Sequence, residues 1–321
     1  MIYLKSRSLH KQLLFTISYF SFFGYAPSFD DIFTFFPVKI SRKRLKTLIH
    51  EAIKKKKVVS YDYRPHTNTG GIPFSKSVFE KNSQSFKKAW QIYTLPQYSN
   101  HFKNSASRQQ ITLHKLDSIN QLIKSLYPCP FIRLVGITGS AAMSNCRKQD
   151  DIDLMIVTQG KSMFTARFIA ILLTSMFGLR KKKGGICLNL FLSEEDLSVP
   201  LHKQTQYVAH ELLQMKAVIN KNNTYGKFCK ANEWVYDIYP NSKVPPSLKL
   251  RTTSKNQNTG ILLEKITNGI VLLLQPFEFA LKQIQLKIIR KNKTGLILSP
   301  TQLWLFRRDF EKRIKGLFSK G

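Results

Sequence analysis

Phe131-Ile132-Arg133-Leu134-Val135-Gly136-Ile137-Thr138-Gly139-Ser140 and, ten residues further on, Asp151-Ile152-Asp153-Leu154-Met155-Ile156-Val157 are two apolar runs separated by a Gly-Ser turn. Both have the length and β-branched content of buried strands. A helix is expected over 163–177, followed by the basic loop Arg180-Lys181-Lys182-Lys183-Gly184-Gly185 and a third strand over 186–192. On a strand, residues two apart share a face, so Asp151 and Asp153 are expected to point the same way. Two carboxylates held that close repel, and each tends to keep its proton unless a cation sits between them. Mg²⁺ is the natural candidate, because it takes one or two protein carboxylates and fills its shell with phosphate oxygens and water. The Gly139-Ser140 turn supplies what a phosphate needs, namely close backbone approach, N–H donors and a hydroxyl.

Charge distribution singles out the same region. The 321 residues carry 51 Lys and Arg against 19 Asp and Glu, a formal net charge of +32. Residues 1–130 carry a net +15, residues 201–321 a net +14, and residues 131–200 only +3. Acids are therefore retained in the middle while the flanks are strongly basic. Such flanks argue against a cationic substrate and offer a surface to RNA or DNA.

Working outward, the first 65 residues show three short helices and then a strand. Leu13, Leu14, Ile17 and Phe20 recur at helical spacing up to Gly24. Ser28-Phe29-Asp30-Asp31 has the spacing of a capping box. Ser41 opens a third helix with Leu45, Leu48, Ile49 and Ala52 on one face and Arg42, Lys43, Arg44 and Lys46 elsewhere. Val58–Tyr63 reads as a strand leading to a turn at Asn68–Gly71, which completes a winged-helix-like pattern over 1–74. Residues 75–130 read as a helical connector, with Phe79, Phe86, Trp90 and Tyr93 in helical phase and then Leu113, Leu116, Ile119, Leu122 and Ile123. Residues 201–321 read as a helical region, with a loop or linker at 241–260 containing Pro245-Pro246.

Neither apolar segment suits a membrane span. Gln12, Ser18 and Ser21 interrupt the first, which soon meets Asp30 and Asp31, and Arg167 interrupts the second. Cys129, Cys146, Cys187 and Cys229 are too scattered for a zinc knuckle and read as reduced thiols of a cytoplasmic protein.

Gly139-Ser140, the ten-residue gap and Asp151-Ile152-Asp153-Leu154 between apolar strands resemble the signature of the DNA polymerase beta-like nucleotidyltransferase superfamily. The resemblance covers about 131–192. It implies an α+β fold, with a small mixed β-sheet nucleotidyltransferase core over 131–200, helical flanks and the N-terminal winged-helix-like domain. It also implies transfer of NMP from an NTP to a hydroxyl acceptor. Gly139, Ser140 and Lys182 would bind the triphosphate, and Asp151 and Asp153 would ligate Mg²⁺, with room for two ions about 3.5–4 Å apart. One departure stands out. The family places a third carboxylate on the later strand, where this chain has Asn189; an amide carries no charge and cannot act as a base near neutral pH. Glu194, Glu195 and Asp196 follow closely and are candidates to replace it. His210, Glu211 and Lys216 are further candidates for the acceptor side. A nucleotidyltransferase fold that binds nucleic acid without turnover is the alternative.

Overall fold

The computed structural model describes residues 8–63, 90–180, 183–243, 275–291, 297–305 and 314. The chain is a mixed α+β protein. Three helices open it: α1 (Leu9–Phe22), α2 (Phe29–Thr34) and α3 (Arg42–Lys54). Gly24, at φ +68°, follows the end of α1. At α2 the Ser28 hydroxyl accepts from the Asp31 N–H, while the Asp31 carboxylate accepts from the Ser28 N–H, so the capping box forms as its spacing predicts. Ser41 caps α3 in the same manner through the Arg44 N–H. Leu13, Ile17, Ile32, Phe36, Leu45 and Leu48 interlock as a small core beneath these helices.

Strand β1 (Val59–Tyr63) pairs antiparallel with β2 (Trp90–Thr94). The helical phase read for Trp90 and Tyr93 is therefore corrected: a short run with few apolar residues fits both periods, and pairing with β1 decides it. The Asn68–Gly71 turn, Phe79 and Phe86 lie outside the described residues, as does most of the 241–260 segment. The helical connector follows as α4 (Asn100–Ser118) and α5 (Asn120–Leu126).

Among the described residues a six-stranded sheet forms the centre, in the order β6 (Lys216–Asn220), β3 (Ile132–Thr138), β4 (Ile152–Thr158), β5 (Ile186–Ser193), β8 (Gln302–Trp304) and β7 (Ile297–Leu298). Strands β3 (Ile132–Thr138), β4 (Ile152–Thr158) and β5 (Ile186–Ser193) come from the three apolar runs. β3 and β4 are antiparallel and joined through α6 (Gly139–Ala142), whereas β4 and β5 are parallel, with α7 (Met163–Met176) between them. Alternation along the strands sorts side chains to two faces. Val135, Ile137, Leu154, Ile156 and Phe191 pack on α5 and α7. Leu134, Met155, Val157, Leu190 and Leu192 pack on α8 (Gln206–Gln214) and α9 (Thr224–Ala231).

The all-helical reading of 201–321 needs two corrections. β6 (Lys216–Asn220) follows α8 almost directly and adds to the free edge of β3. After α10 (Val235–Ile238) and α11 (Gln275–Lys291), strands β7 (Ile297–Leu298) and β8 (Gln302–Trp304) extend the sheet beyond β5. Segments of two to five residues are too short to display a period.

The N-terminal helices are seated on the rest of the chain. Phe20 and Phe35 pack with Ala209, Leu213, Val235, Ile238 and Tyr239. Asn241 is buried; its carbonyl oxygen accepts from the Ile40 N–H at 3.0 Å and its amide donates to Phe36 O and Val38 O. Among the described residues no helix is long and apolar enough to cross a membrane. The four cysteines are all free thiols.

Candidate functional site

Thr138 pairs with Asp153 across the β3–β4 ladder, which brings the turn after β3 beside the start of β4. Gly139 adopts φ +64°, a left-handed conformation that side chains resist. A Cβ there would lie 2.5 Å from Asp153 Oδ2. The glycine is thus required twice, by its backbone angle and by the carboxylate against it. Ser140 follows, its hydroxyl 3.5 Å from Cys146 Sγ.

Asp153 shares its sheet face with Met155 and Val157, the face covered by α8. Asp151 does not lie on the strand as expected, because β4 begins at Ile152. It sits exposed in the preceding turn, and its Oδ1 accepts from the Gly184 N–H at 3.1 Å. The two aspartates are neighbours, but the same-face geometry of a continuous strand is not what joins them.

Asn189 meets Asp153 directly, its amide donating to Asp153 Oδ1. The contact arises from an irregularity in the sheet. Leu154 pairs with Leu188, but Met155 pairs with Leu190, leaving Asn189 as the extra residue of a bulge in a parallel ladder. Bulges of this kind re-aim a side chain and recur beside active sites. Cys187 Sγ donates to the Asn189 carbonyl oxygen at 2.6 Å and so fixes which end of the amide faces Asp153.

Burial pushes the Asp153 carboxyl up to about 7; the Asn189 amide opposes the shift, and the charges of Asp151 and Asp150 add to it. Among the described residues no Lys, Arg or His forms an ion pair with it. The three acids after β5 cannot serve in place of Asn189. The Glu194 N–H bonds to Thr158 O, at the far end of β4 from Asp153. Five residue steps along the strand separate these ends, roughly 16 Å. Glu194 instead pairs with Arg133 at 3.3 Å, and Asp196 accepts from the Thr301 hydroxyl at 2.6 Å.

The acid that does reach this centre is Glu211 on α8. Its Oε2 accepts from the Gly139 N–H at 3.0 Å, and its Oε1 accepts from the Gln214 amide at 2.7 Å. Burial pushes its carboxyl up to about 7, the Gly139 N–H opposes this, and Asp153 adds to it. His210 plays no part here. It is buried against Phe35, with ring centroids 3.9 Å apart, and burial holds it down at about 3, so it is a packed neutral imidazole. Lys216 lies on β6, its ammonium destabilised by burial and partly supported by Asp31.

Lys115 on α4 carries no motif, yet it ties the site together. Its buried ammonium donates to Asp150 O at 2.7 Å and to Gly184 O at 3.0 Å, clasping the two turns that meet at Asp151. The only trace of this in the sequence is a lysine next to an apolar helix face, which is commonplace. Arg180 and Lys183 of the basic loop are exposed, whereas Lys181 and Lys182 lie outside the described residues. Of the expected site residues, Gly139, Asp153 and Asn189 come together, with Asp151 and Ser140 at the margin.

Among the described residues no group of three or more His, Cys, Asp and Glu side chains is arranged to hold a metal ion. A divalent cation here would take the two aspartates and complete its shell with phosphate oxygens and water. Comparison with family models, curated proteins and solved structures returns no match for this chain.

Proposed function

We propose that the chain is a Mg²⁺-dependent nucleotidyltransferase that moves NMP from an NTP to a hydroxyl acceptor. One observation carries this reading. Asp153 is a carboxylate deprived of water, flanked by two further acids and met by a neutral amide rather than a cation, and a glycine backbone stands against its other oxygen. A buried anion without a counter-ion is costly unless something positive arrives. The donor set suits Mg²⁺, which prefers hard oxygens. When bound, the ion would neutralise phosphate charge and draw electron density from the phosphoryl group under attack.

The chain's own residues would act as follows. Asp153 and Asp151 would hold the cation, and Asn189 would keep Asp153 in orientation by donating to one of its oxygens. The Ser140 hydroxyl and the Gly139 N–H would donate to phosphate oxygens. Lys115 would hold the turn carrying Asp151 in register with the turn carrying Gly184. The winged-helix-like order of α1 to α3 with β1 and β2, and the exposed bases of α3, suit an RNA or DNA acceptor or regulator held by its phosphates.

A second reading is favoured by Asn189 itself. With an amide in place of the third carboxylate, the fold could bind nucleotide and nucleic acid without turnover. One assay separates the two. Purified chain is incubated with Mg²⁺, each of the four NTPs and candidate hydroxyl acceptors, and pyrophosphate release is measured. The enzyme reading expects release that falls by about a thousandfold or more in Asp153→Asn, the scale on which removal of a transition-state charge acts. Equal release by wild type and variant overturns it.

A further inference from the structure

We infer that Glu211 is a built-in plug on the triphosphate site, which a nucleotide must displace before it can bind. This rests on the nucleotide reading given above and goes beyond it, because it concerns how access to the site is regulated. The Gly139 N–H is the donor that a phosphate oxygen would use, and the Glu211 carboxylate already occupies it at 3.0 Å. A carboxylate and a phosphate offer the same thing to a backbone N–H, a negatively charged oxygen acceptor. They cannot share one donor, and their charges repel within a half-buried site.

Glu211 is not placed there by chance rotation of an exposed side chain. Its second oxygen is held by the Gln214 amide one helical turn later, at 2.7 Å. The helix that carries it is fixed from the other side by the N-terminal aromatics. His210, the adjacent residue, is enclosed by Phe35 at 3.9 Å, Tyr19 at 4.8 Å and Phe20 at 5.2 Å between ring centroids. The helix backbone is thereby pinned, and Glu211 can leave Gly139 by rotating its own side chain or by a shift of the N-terminal helices that pack on α8. The domain bearing the basic helix is thus the domain that holds the plug.

The test measures binding of inorganic triphosphate with Mg²⁺ by titration calorimetry to the full chain and to Glu211→Ala, Glu211→Gln and Asp153→Asn. Inorganic triphosphate probes the phosphate site without any base preference. A plug predicts that Glu211→Ala binds about tenfold or more tightly than wild type, the scale of one charge-assisted hydrogen bond. Glu211→Gln, which keeps the size of the side chain, is also expected to bind more tightly than wild type because the repulsion is gone. Circular dichroism melts establish that both variants fold. If wild type binds, Asp153→Asn does not, and neither Glu211 variant gains affinity, the plug is refuted while the nucleotide reading stands. If Glu211→Ala binds as wild type does but loses pyrophosphate release, Glu211 acts on the acceptor and the plug is likewise refuted. If no protein in the series binds triphosphate, the nucleotide reading fails and the plug fails with it.

Discussion

Around Gly139 the charged groups are acids withdrawn from water. Asp153 and Glu211 are both pushed up to about 7 by burial, and both are met by amides and N–H groups instead of cations. Along α3 the charged groups are bases left in water. Arg42, Lys43, Arg44 and Lys46 are exposed, and so are Lys54 to Lys57 at its end. Their only partners of note are at the surface, such as Arg42 with Asp30 at 2.7 Å and the Arg42 guanidinium 4.7 Å from the Phe33 ring. Surface pairs of this kind contribute little to stability. Charge in the first region therefore strains the fold, while charge in the second is almost free to keep. A cost borne at one place and avoided at another points to where a counter-charge is meant to bind, whereas cheap exposed charge advertises only a preference for polyanions.

Three substitutions test that contrast. The largest effect is expected from Gly139→Ala. A left-handed backbone angle and a Cβ 2.5 Å from Asp153 Oδ2 combine to destabilise the fold by about 3–4 kcal/mol. Urea unfolding reads this directly, and a change below about 1 kcal/mol would mean the turn is looser than described.

Asp153→Asn is next, and its sign depends on pH. The folded carboxyl titrates at about 7 against an ordinary 3.8, so the folded chain keeps a proton that the unfolded chain loses. The stability linked to this group is fully present below about 3.8 and is lost as pH rises through about 7. Asparagine mimics the protonated form at every pH. The variant should therefore be more stable than wild type at pH 8, by on the order of 3–4 kcal/mol, and equal to it only below about pH 3. His210, held down at about 3, titrates in the opposite sense but is common to both proteins and cancels. A gap independent of pH would show that Asp153 is not strained. Mg²⁺ should narrow the gap at pH 8 by stabilising wild type alone.

The smallest effect on stability is expected on the basic helix. Lys43→Gln combined with Lys46→Gln should move unfolding by no more than about 0.5 kcal/mol. Its consequence should appear instead in the salt dependence of nucleic-acid binding, whose logarithmic slope falls by up to about 2 if both lysines meet phosphates. An unchanged slope would remove α3 from the interface.

The central strands are legible in the sequence because 131–138, 152–158 and 186–193 are long apolar runs buried on both faces, which is the strongest local signal a strand can give. The caps at Ser28 and Ser41 are legible because capping is local chemistry. What stays hidden is whatever depends on a partner far along the chain. β6 is five residues long and follows α8 after a single residue, so its strand character comes only from pairing with β3. β2, β7 and β8 are hidden for the same reason. At the site, Gly139 and Asp153 are recoverable from spacing, and Asn189 from the resemblance that expects a carboxylate on that strand. The Lys115 clasp spans 35 and 69 residues and leaves no pattern, and Glu211, though noticed beside His210, has no local feature linking it to Gly139.

The slipped register at Asn189 has a consequence for any attempt to reshape this centre. Because one residue is unmatched between the pairs Leu154–Leu188 and Met155–Leu190, the side chain that greets Asp153 belongs to a residue the pairing of Leu190, Phe191 and Leu192 does not use. Excising it would close the ladder into regular pairing, with Leu190 and Leu192 still facing the layer of Met155 and Val157 and Phe191 still facing that of Ile156. The sheet itself does not call for a residue at position 189; only the carboxylate beside it does.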